Sequence, residues 1–131
     1  DENLVLKIIF SNVVTIFETY LSDLIINIIN SDRNSLRKIV EDYGIFQKER
    51  IEKTNIFNVY ETIKDSVISE LQKISYHNLR VVIPLYKKTL SIDFADKITG
   101  LPEAIEIRHD IVHRNGKDFF GNMHEITLEK I

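Results

Sequence analysis

The chain has 131 residues, 44% apolar and 28% charged, with four glycines, two prolines and neither cysteine nor tryptophan. That length fits one domain with a real core, while so few glycines and prolines argue against a turn-rich β-sandwich or a glycine-loop nucleotide-binding fold. Without cysteine there is no disulfide, thiolate nucleophile or cysteine-based zinc site, and the net charge of −3 argues against coating nucleic acid through bulk charge alone.

The first thirty residues predict one long helix. Apolar side chains recur in steps of three and four, at Leu6, Phe10, Val13, Phe17, Tyr20, Leu24 and Ile28. Further apolar residues widen this stripe, so we expect neighbouring helices or a second subunit to cover it on more than one side. Charged residues interrupt the run, which we expect to stop short of the roughly 20 residues that span a bilayer. With no signal-peptide pattern, the sequence indicates a soluble, cytoplasmic protein without membrane contact.

The middle of the chain predicts two or three shorter helices after a polar break at residues 30–34. Ser35 is a candidate N-cap for a short helix that Gly44 ends, and residues 45–55 are expected to form a helix end or an irregular link. The helical period returns from residue 56 to residue 74. Asn78 is a candidate cap for the next helix, in which Pro84 either opens the first turn or produces a kink.

The last predicted helix covers residues 101–114, opened by Pro102 and closed by Asn115-Gly116. Residues 127–131 resemble the cap and first turn of a further helix. No segment shows convincing strand alternation. The sequence therefore predicts an all-α bundle of four or five helices in a single domain over residues 1–131, which we expect to be excised from a longer chain and to lack most of its last helix.

One segment of the last helix carries chemistry, with two arginines and two of the four histidines in the run Arg108-His109-Asp110-Ile111-Val112-His113-Arg114-Asn115-Gly116. Guanidinium groups bind phosphate oxygens, and an imidazole moves a proton near neutral pH. Metal-free RNA cleavage needs that combination, because the 2′-OH is deprotonated, the leaving oxygen is protonated and the phosphorane is stabilised. The alternative is an ordinary charged helix end, since the helix dipole favours cations there.

Helical spacing constrains how these groups can meet. Arg108 and His113 are five residues apart and therefore point roughly 140° away from each other, whereas His109 and His113 share a face. Two copies packed across a two-fold axis would pair Arg108 of each with His113 of the other. A homodimer with a composite site is therefore expected.

A zinc site is the second chemical alternative. His109 and His113 are spaced as in the His-Glu-x-x-His motif, with Asp110 in place of the glutamate and its shorter side chain. A third ligand would have to come from His124 or from an acidic residue. We favour a protein without a metal or other cofactor.

The segment resembles the HEPN superfamily (higher eukaryotes and prokaryotes nucleotide-binding) through its Arg-x-x-x-x-His motif, formed by Arg108 and His113 with the polar His109 after the arginine. The resemblance covers most of the chain and is closest to bacterial toxin and defence forms. It implies a dimeric, metal-independent endoribonuclease that leaves a 2′,3′-cyclic phosphate. Arg108 would stabilise the scissile phosphate, His113 would handle the proton and His109 would support the geometry. The family usually has a complete helix after the motif, where only a first turn is found here.

Other residues are candidates for contacting the RNA. Arg114 and Asn115 adjoin the motif, and residues 71–92 carry Lys87 and Lys88 among four basic residues and no acidic one. Tyrosines of the same stretch, Tyr76 and Tyr86, are candidates for stacking on bases, although a solvated helix face with core tyrosines is the favoured interpretation. The main alternative function is a non-catalytic HEPN module that binds RNA, a nucleotide or a partner protein, and an antitoxin or sensor domain is a further expected partner.

Overall fold

The computed structural model describes all 131 residues and contains six α-helices and no β-strand, as the helical period of the sequence predicts. The helices are α1 (Glu2–Ser31), α2 (Arg33–Asp42), α3 (Gly44–Gln47), α4 (Ile56–Gln72), α5 (Leu79–Leu90) and α6 (Leu101–His113). Single 3-10 turns occupy Lys53–Asn55, Ala95–Lys97 and Leu128–Lys130. Because α3 is one turn long, the fold has five substantial helices, and the all-α prediction is confirmed.

The chain forms two compact units. The first consists of Asp1–Tyr20 and Asp96–Ile131, and the second of Leu21–Ala95. The first unit therefore contains α6 and the N-terminal part of α1, while the second contains α2 to α5 and the C-terminal part of α1.

The core of the first unit fixes the orientation of α6. Phe10 and Val14 of α1 are buried together with Ile107 of α6 and Ile126 near the C-terminus. Ala104 and Ile111 pack against this cluster from α6, so one stripe of the helix faces inward. Each fully buried apolar side chain contributes about 1.5–3 kcal/mol, which is enough to hold the opposite stripe toward solvent.

The same part of α1 leaves an apolar face exposed, which we call the α1 ridge: Leu4, Val5, Ile8, Ile9, Val13, Ile16 and Tyr20, each at least 41% exposed. No other part of its own unit covers this face. The helix also has the length and mean hydropathy, 1.6 over an 18-residue window, of a membrane-spanning segment, a test that core helices of soluble proteins and signal sequences pass as well. The helix reaches this length only by continuing through Lys7, Glu18 and Asp23, and its uncharged runs stay short of the roughly 20 residues that span a bilayer.

The second unit is built on a separate core. Ile25, Ile39, Val67, Val82 and Leu85 are fully buried there, one or more from each of α1, α2, α4 and α5. Further buried residues lie three or four positions away in the same helices, as amphipathic packing requires: Ile29, Leu36 and Leu71. Two of the predicted helix boundaries, in contrast, depart from the structure.

The N-terminus of α2 is capped by Asp32, not by Ser35. The Asp32 carboxylate accepts hydrogen bonds from the backbone N–H of Asn34 and Ser35 and from the Ser35 hydroxyl, and these bonds lower the pKa of Asp32. Ser35 lies inside the first turn, where its hydroxyl serves the cap as a donor. The helix stops at Asp42 with Tyr43 as its C-cap, so the predicted stop next to Gly44 is present, but Gly44 has no positive φ and begins α3 instead.

Pro84 lies within α5, at its sixth residue. The helix runs continuously from Leu79 to Leu90, so the proline does not open the first turn. Asn78 occupies the N-cap position as predicted, but its side chain makes no capping hydrogen bond. The helix ends at Leu90, and its C-cap Ser91 adopts a left-handed conformation with φ 57°.

Candidate functional site

The two histidines of the motif meet on the exposed face of α6. Because Ile107 and Ile111 face the core, residues 109 and 113 are turned to solvent, and both are exposed. Their ring centroids lie 4.6 Å apart with an interplanar angle of 47°. The predicted shared face is therefore present, and two imidazoles are available to solvent on consecutive turns.

Arg108 is half-buried and does not join this pair. Its Nε is buried without a hydrogen-bond partner, and no ion pair or hydrogen bond connects its guanidinium to His113. The offset of roughly 140° between the two positions on a helix accounts for this separation. One copy of the chain thus presents the two principal motif residues in different directions, and it leaves the Arg108 charge without an acidic partner.

Asp110 is the buried centre of the site, and neither its burial nor its contacts were anticipated from the sequence. It is 3% exposed, and its carboxylate contacts His124 Nε2 at 2.8 Å and Arg114 Nη1 at 3.3 Å. Charge-assisted bonds of this kind compensate the burial of a carboxylate. Asp110 is therefore turned away from the face that carries His109 and His113.

The arrangement does not supply a zinc ligand set. No group of three or more His, Asp or Glu side chains is placed to hold a metal ion. Asp110 and His124, which the zinc alternative would recruit, contact each other instead. The His109–His113 spacing alone gives two ligands, which is fewer than a zinc site requires.

Backbone geometry fixes the chain as it leaves α6. The Asp110 carbonyl accepts hydrogen bonds from the N–H of Arg114 at 2.8 Å and of Gly116 at 2.9 Å. Asn115 and Gly116 both adopt left-handed conformations, with φ 54° and 80°. The predicted Asn115-Gly116 stop is confirmed, since these are the residue types that take this conformation at least cost.

Lys7 of α1 is a further cation at this helix end. Its residue is only 8% exposed, and a Cβ atom added to Gly116 would lie 2.8 Å from the Lys7 ammonium. The carboxyl end of a helix carries partial negative charge, which favours a cation at this place. In the sequence Lys7 was visible only as an interruption of an apolar run.

A short hairpin follows the helix and returns the chain to Asp110. Lys117 and Met123 form an isolated bridge, and His124 N–H donates to the Gly116 carbonyl at 2.8 Å. At the turn, the Asp118 carboxylate accepts from the N–H of Phe120 and Asn122, at 2.9 and 2.8 Å, and these bonds lower its pKa. The hairpin is what brings His124 to the buried carboxylate.

The hairpin carries two exposed phenylalanines, which we call the aromatic tip: Phe119 and Phe120, 79% and 85% exposed. Their rings contact each other edge to face, with centroids 5.8 Å apart. The Arg114 guanidinium lies over the Phe119 ring, 5.3 Å from its centroid. Arg114 thus connects the tip to Asp110.

The second predicted basic surface lies in the other unit. Lys87 and Lys88 are exposed on α5, and Lys87 forms an ion pair with Asp93 at 3.1 Å. Tyr76 and Tyr86 are buried, and their hydroxyls donate to the carbonyls of Leu71 and Leu21. These tyrosines cannot stack on bases, and the core interpretation is confirmed, while RNA contact by the two lysines stays a prediction.

A cavity of about 670 Å³ in the second unit is lined by Arg33, Tyr60 and Lys64 among others and contains no motif residue. Its cations are already engaged, since Arg33 donates to the Tyr60 hydroxyl and Lys64 to the Asn30 carbonyl. The chemistry of the chain is thus concentrated at the end of α6.

Comparison with family models, curated proteins and solved structures gives no match for this chain. What the chain can do chemically therefore rests on its own residues. Adjacent exposed imidazoles exchange protons with a bound reactant, and an unpaired guanidinium stabilises negative charge. An anion that gains or loses protons during its reaction is the kind of substrate that these groups suit.

Proposed function

We propose that the chain is a HEPN-type endoribonuclease that cleaves RNA without a metal ion. The observation that carries the proposal is that Arg108 has no acidic partner, on the same helix as two exposed imidazoles 4.6 Å apart. In contrast, Arg114 is engaged by a buried carboxylate. An arginine that no carboxylate neutralises retains its full attraction for a phosphate.

The reaction is transesterification within the RNA strand. The 2′-oxygen attacks the adjacent phosphorus while an imidazole accepts its proton, and the bond from phosphorus to the 5′-oxygen breaks as that oxygen gains a proton. The products are a 2′,3′-cyclic phosphate and a 5′-hydroxyl. In this scheme His113 transfers the proton, His109 supports the geometry and Arg108 stabilises the phosphorane.

We further propose that the site is completed by a second copy of the chain. Arg108 and His113 point in different directions within one copy, so Arg108 would meet His113 of the partner subunit across a two-fold axis. The α1 ridge supports this, because its exposed apolar side chains need a cover. A role in a toxin or defence system, under an antitoxin or sensor domain, and a cytoplasmic location belong to the same proposal.

Cleavage of labelled RNA in the presence of EDTA tests the chemistry. We expect the wild type to produce a cyclic phosphate end, and both variants to lose at least 100-fold in rate, because His113→Ala removes a general acid–base group and Arg108→Ala removes the charge that stabilises the phosphorane. His77→Ala replaces an exposed histidine of the other unit and serves as the matched control. Absence of cleavage by the wild type, or full activity of His113→Ala, refutes the proposal.

Mixing the two inactive variants tests the composite site. If each site combines Arg108 of one copy with His113 of the other, half of the dimers in an equal mixture of Arg108→Ala and His113→Ala are mixed. Each mixed dimer keeps one intact site of two, so about a quarter of the wild-type activity returns. A site built within one copy would restore nothing. If the ridge inserts into a bilayer instead, the protein will partition into vesicles and no dimer will form in solution.

A non-catalytic HEPN module that binds RNA, a nucleotide or a partner protein is the second candidate. It is favoured by the absence of any contact between Arg108 and His113 within one chain. Tight RNA binding without product, measured in a dimeric and folded sample, would support this candidate over the nuclease.

A further inference from the structure

The aromatic tip exposes two large apolar rings on a backbone that is held in place. Phe119 and Phe120 are each more than three-quarters exposed, although phenylalanine is usually withdrawn from water. Asp118 fixes the turn beneath them through hydrogen bonds from the N–H of Phe120 and Asn122 and from the Asn122 side-chain amide. A rigid turn that presents rings outward indicates a surface for contact.

Two cationic side chains lie next to this tip, on its α6 side. Arg114 lies on the Phe119 ring and is held by Asp110, and Lys117 is exposed at the base of the hairpin. The acidic residue of the turn, Asp118, is occupied by backbone donors. Exposed aromatic faces beside the ammonium group of Lys117 are complementary to nucleic acid, whose bases stack and whose phosphates carry negative charge, while Arg114, engaged by Asp110, supports the Phe119 ring.

We propose that the aromatic tip is a stacking platform for unpaired nucleobases of the RNA strand, next to the phosphate bound at the end of α6. This inference rests on the proposed ribonuclease function and specifies its substrate as single-stranded RNA. Base stacking needs an accessible ring face on both partners, which a paired base inside a duplex does not offer. Arg114 positions the platform, because it contacts both the Phe119 ring and Asp110.

Equilibrium binding separates ring stacking from simple apolar contact. A variant carrying Phe119→Leu and Phe120→Leu keeps apolar side chains but lacks the aromatic faces. With a fluorescent, non-cleavable 2′-O-methyl dodecanucleotide, we expect its Kd for the single strand to rise about tenfold. The Kd for the matched duplex should not change. Phe57→Leu is the control, since Phe57 is 80% exposed and lies in the other unit.

The absence of tryptophan from the chain allows a direct reporter. Phe120→Trp introduces a single indole at the tip, and Phe57→Trp introduces one at the control position. Single-stranded RNA should quench the fluorescence of the first variant and leave the second unchanged, because a stacked base quenches the indole. Both positions are exposed, so neither substitution disturbs the core.

The outcomes distinguish this inference from the proposed function. If the wild type binds and cleaves RNA while the double leucine variant has an unchanged Kd, the inference is overturned and the nuclease proposal stands. If the wild type neither binds nor cleaves RNA, both are overturned. If phosphatidylglycerol vesicles, and not RNA, quench the Phe120→Trp reporter, the tip binds membranes and the inference is again overturned.

Discussion

Replacement of the buried carboxylate at position 110 tests how the end of α6 is held. Asp110→Asn keeps the shape of the side chain and removes its charge, so the hydrogen bonds to His124 and Arg114 lose a charged acceptor. Hydrogen bonds to charged groups contribute about 1.5–3 kcal/mol each. Since Arg114 is 41% and His124 22% exposed, solvent screens both contacts, and we expect a total loss of about 2.5 kcal/mol.

This loss is large enough to measure by thermal unfolding. With about 2.1 cal/mol/K of unfolding entropy per residue and 131 residues, it lowers Tm by about 9 °C. Glu106→Gln is the matched control, because Glu106 is an exposed acidic residue of the same helix without an ion pair, and we expect its Tm to change by less than about 2 °C.

A double-mutant cycle with His124→Gln completes the test. If the two side chains are coupled as their 2.8 Å contact indicates, the double variant will lose less stability than the sum of the two single variants, by about 1 kcal/mol or more. Additive losses, or a Tm of Asp110→Asn within 2 °C of the wild type, would refute this account of the helix end. The hairpin would then have to be held by its apolar residues alone.

Two further predictions concern stability. Gly116→Ala and Gly121→Ala both force a left-handed alanine, at φ 80° and 86°, which costs about 1 kcal/mol. Only Gly116→Ala must also displace the buried Lys7 side chain, so in urea unfolding it should lose about 1 kcal/mol more of the free energy of unfolding than Gly121→Ala. Equal losses in the two variants would mean that the Lys7 side chain moves aside without cost. Burial raises the pKa of Tyr76 to about 12, against about 10 in the unfolded chain. The folded protein therefore holds this proton while the unfolded chain releases it, and the free energy of unfolding should fall as pH rises from 10 to 12. Tyr76→Phe should weaken that fall, and an identical alkaline profile in the variant would contradict the assignment.

The helices with sustained apolar periodicity were predictable from the sequence. The bounds of α1 and α6 follow the sequence pattern within one or two residues, because the apolar positions recur at the helical period up to a polar break after α1 and up to Asn115-Gly116 after α6. The N-terminal boundary of α2 could not be predicted in this way, because Asp32 and Ser35 are both good capping residues and the local sequence does not decide between them. Gly44 signalled a helix end, yet its backbone does not use the left-handed region in which glycine is favoured.

At the site, the facing of His109 and His113 follows from their separation by four residues. The contact between Asp110 and His124 could not be predicted, because it depends on a hairpin that reverses the chain over fourteen positions. The burial of Lys7 beside Gly116 depends on packing between α1 and α6 in the same unit. Local spacing thus predicts neighbours on one helix, whereas contacts between elements need the tertiary structure.

The backbone bond from the Gly116 nitrogen to the Asp110 carbonyl also bears on the chemical ageing of the protein. Asparagine followed by glycine deamidates when the glycine nitrogen attacks the side-chain amide carbon and closes a cyclic imide. At Asn115 that nitrogen is committed to a hydrogen bond in the folded chain, so imide formation has to wait until the end of α6 opens. The rate at which Asn115 converts to aspartate or isoaspartate during storage therefore measures how often the end of α6 opens locally.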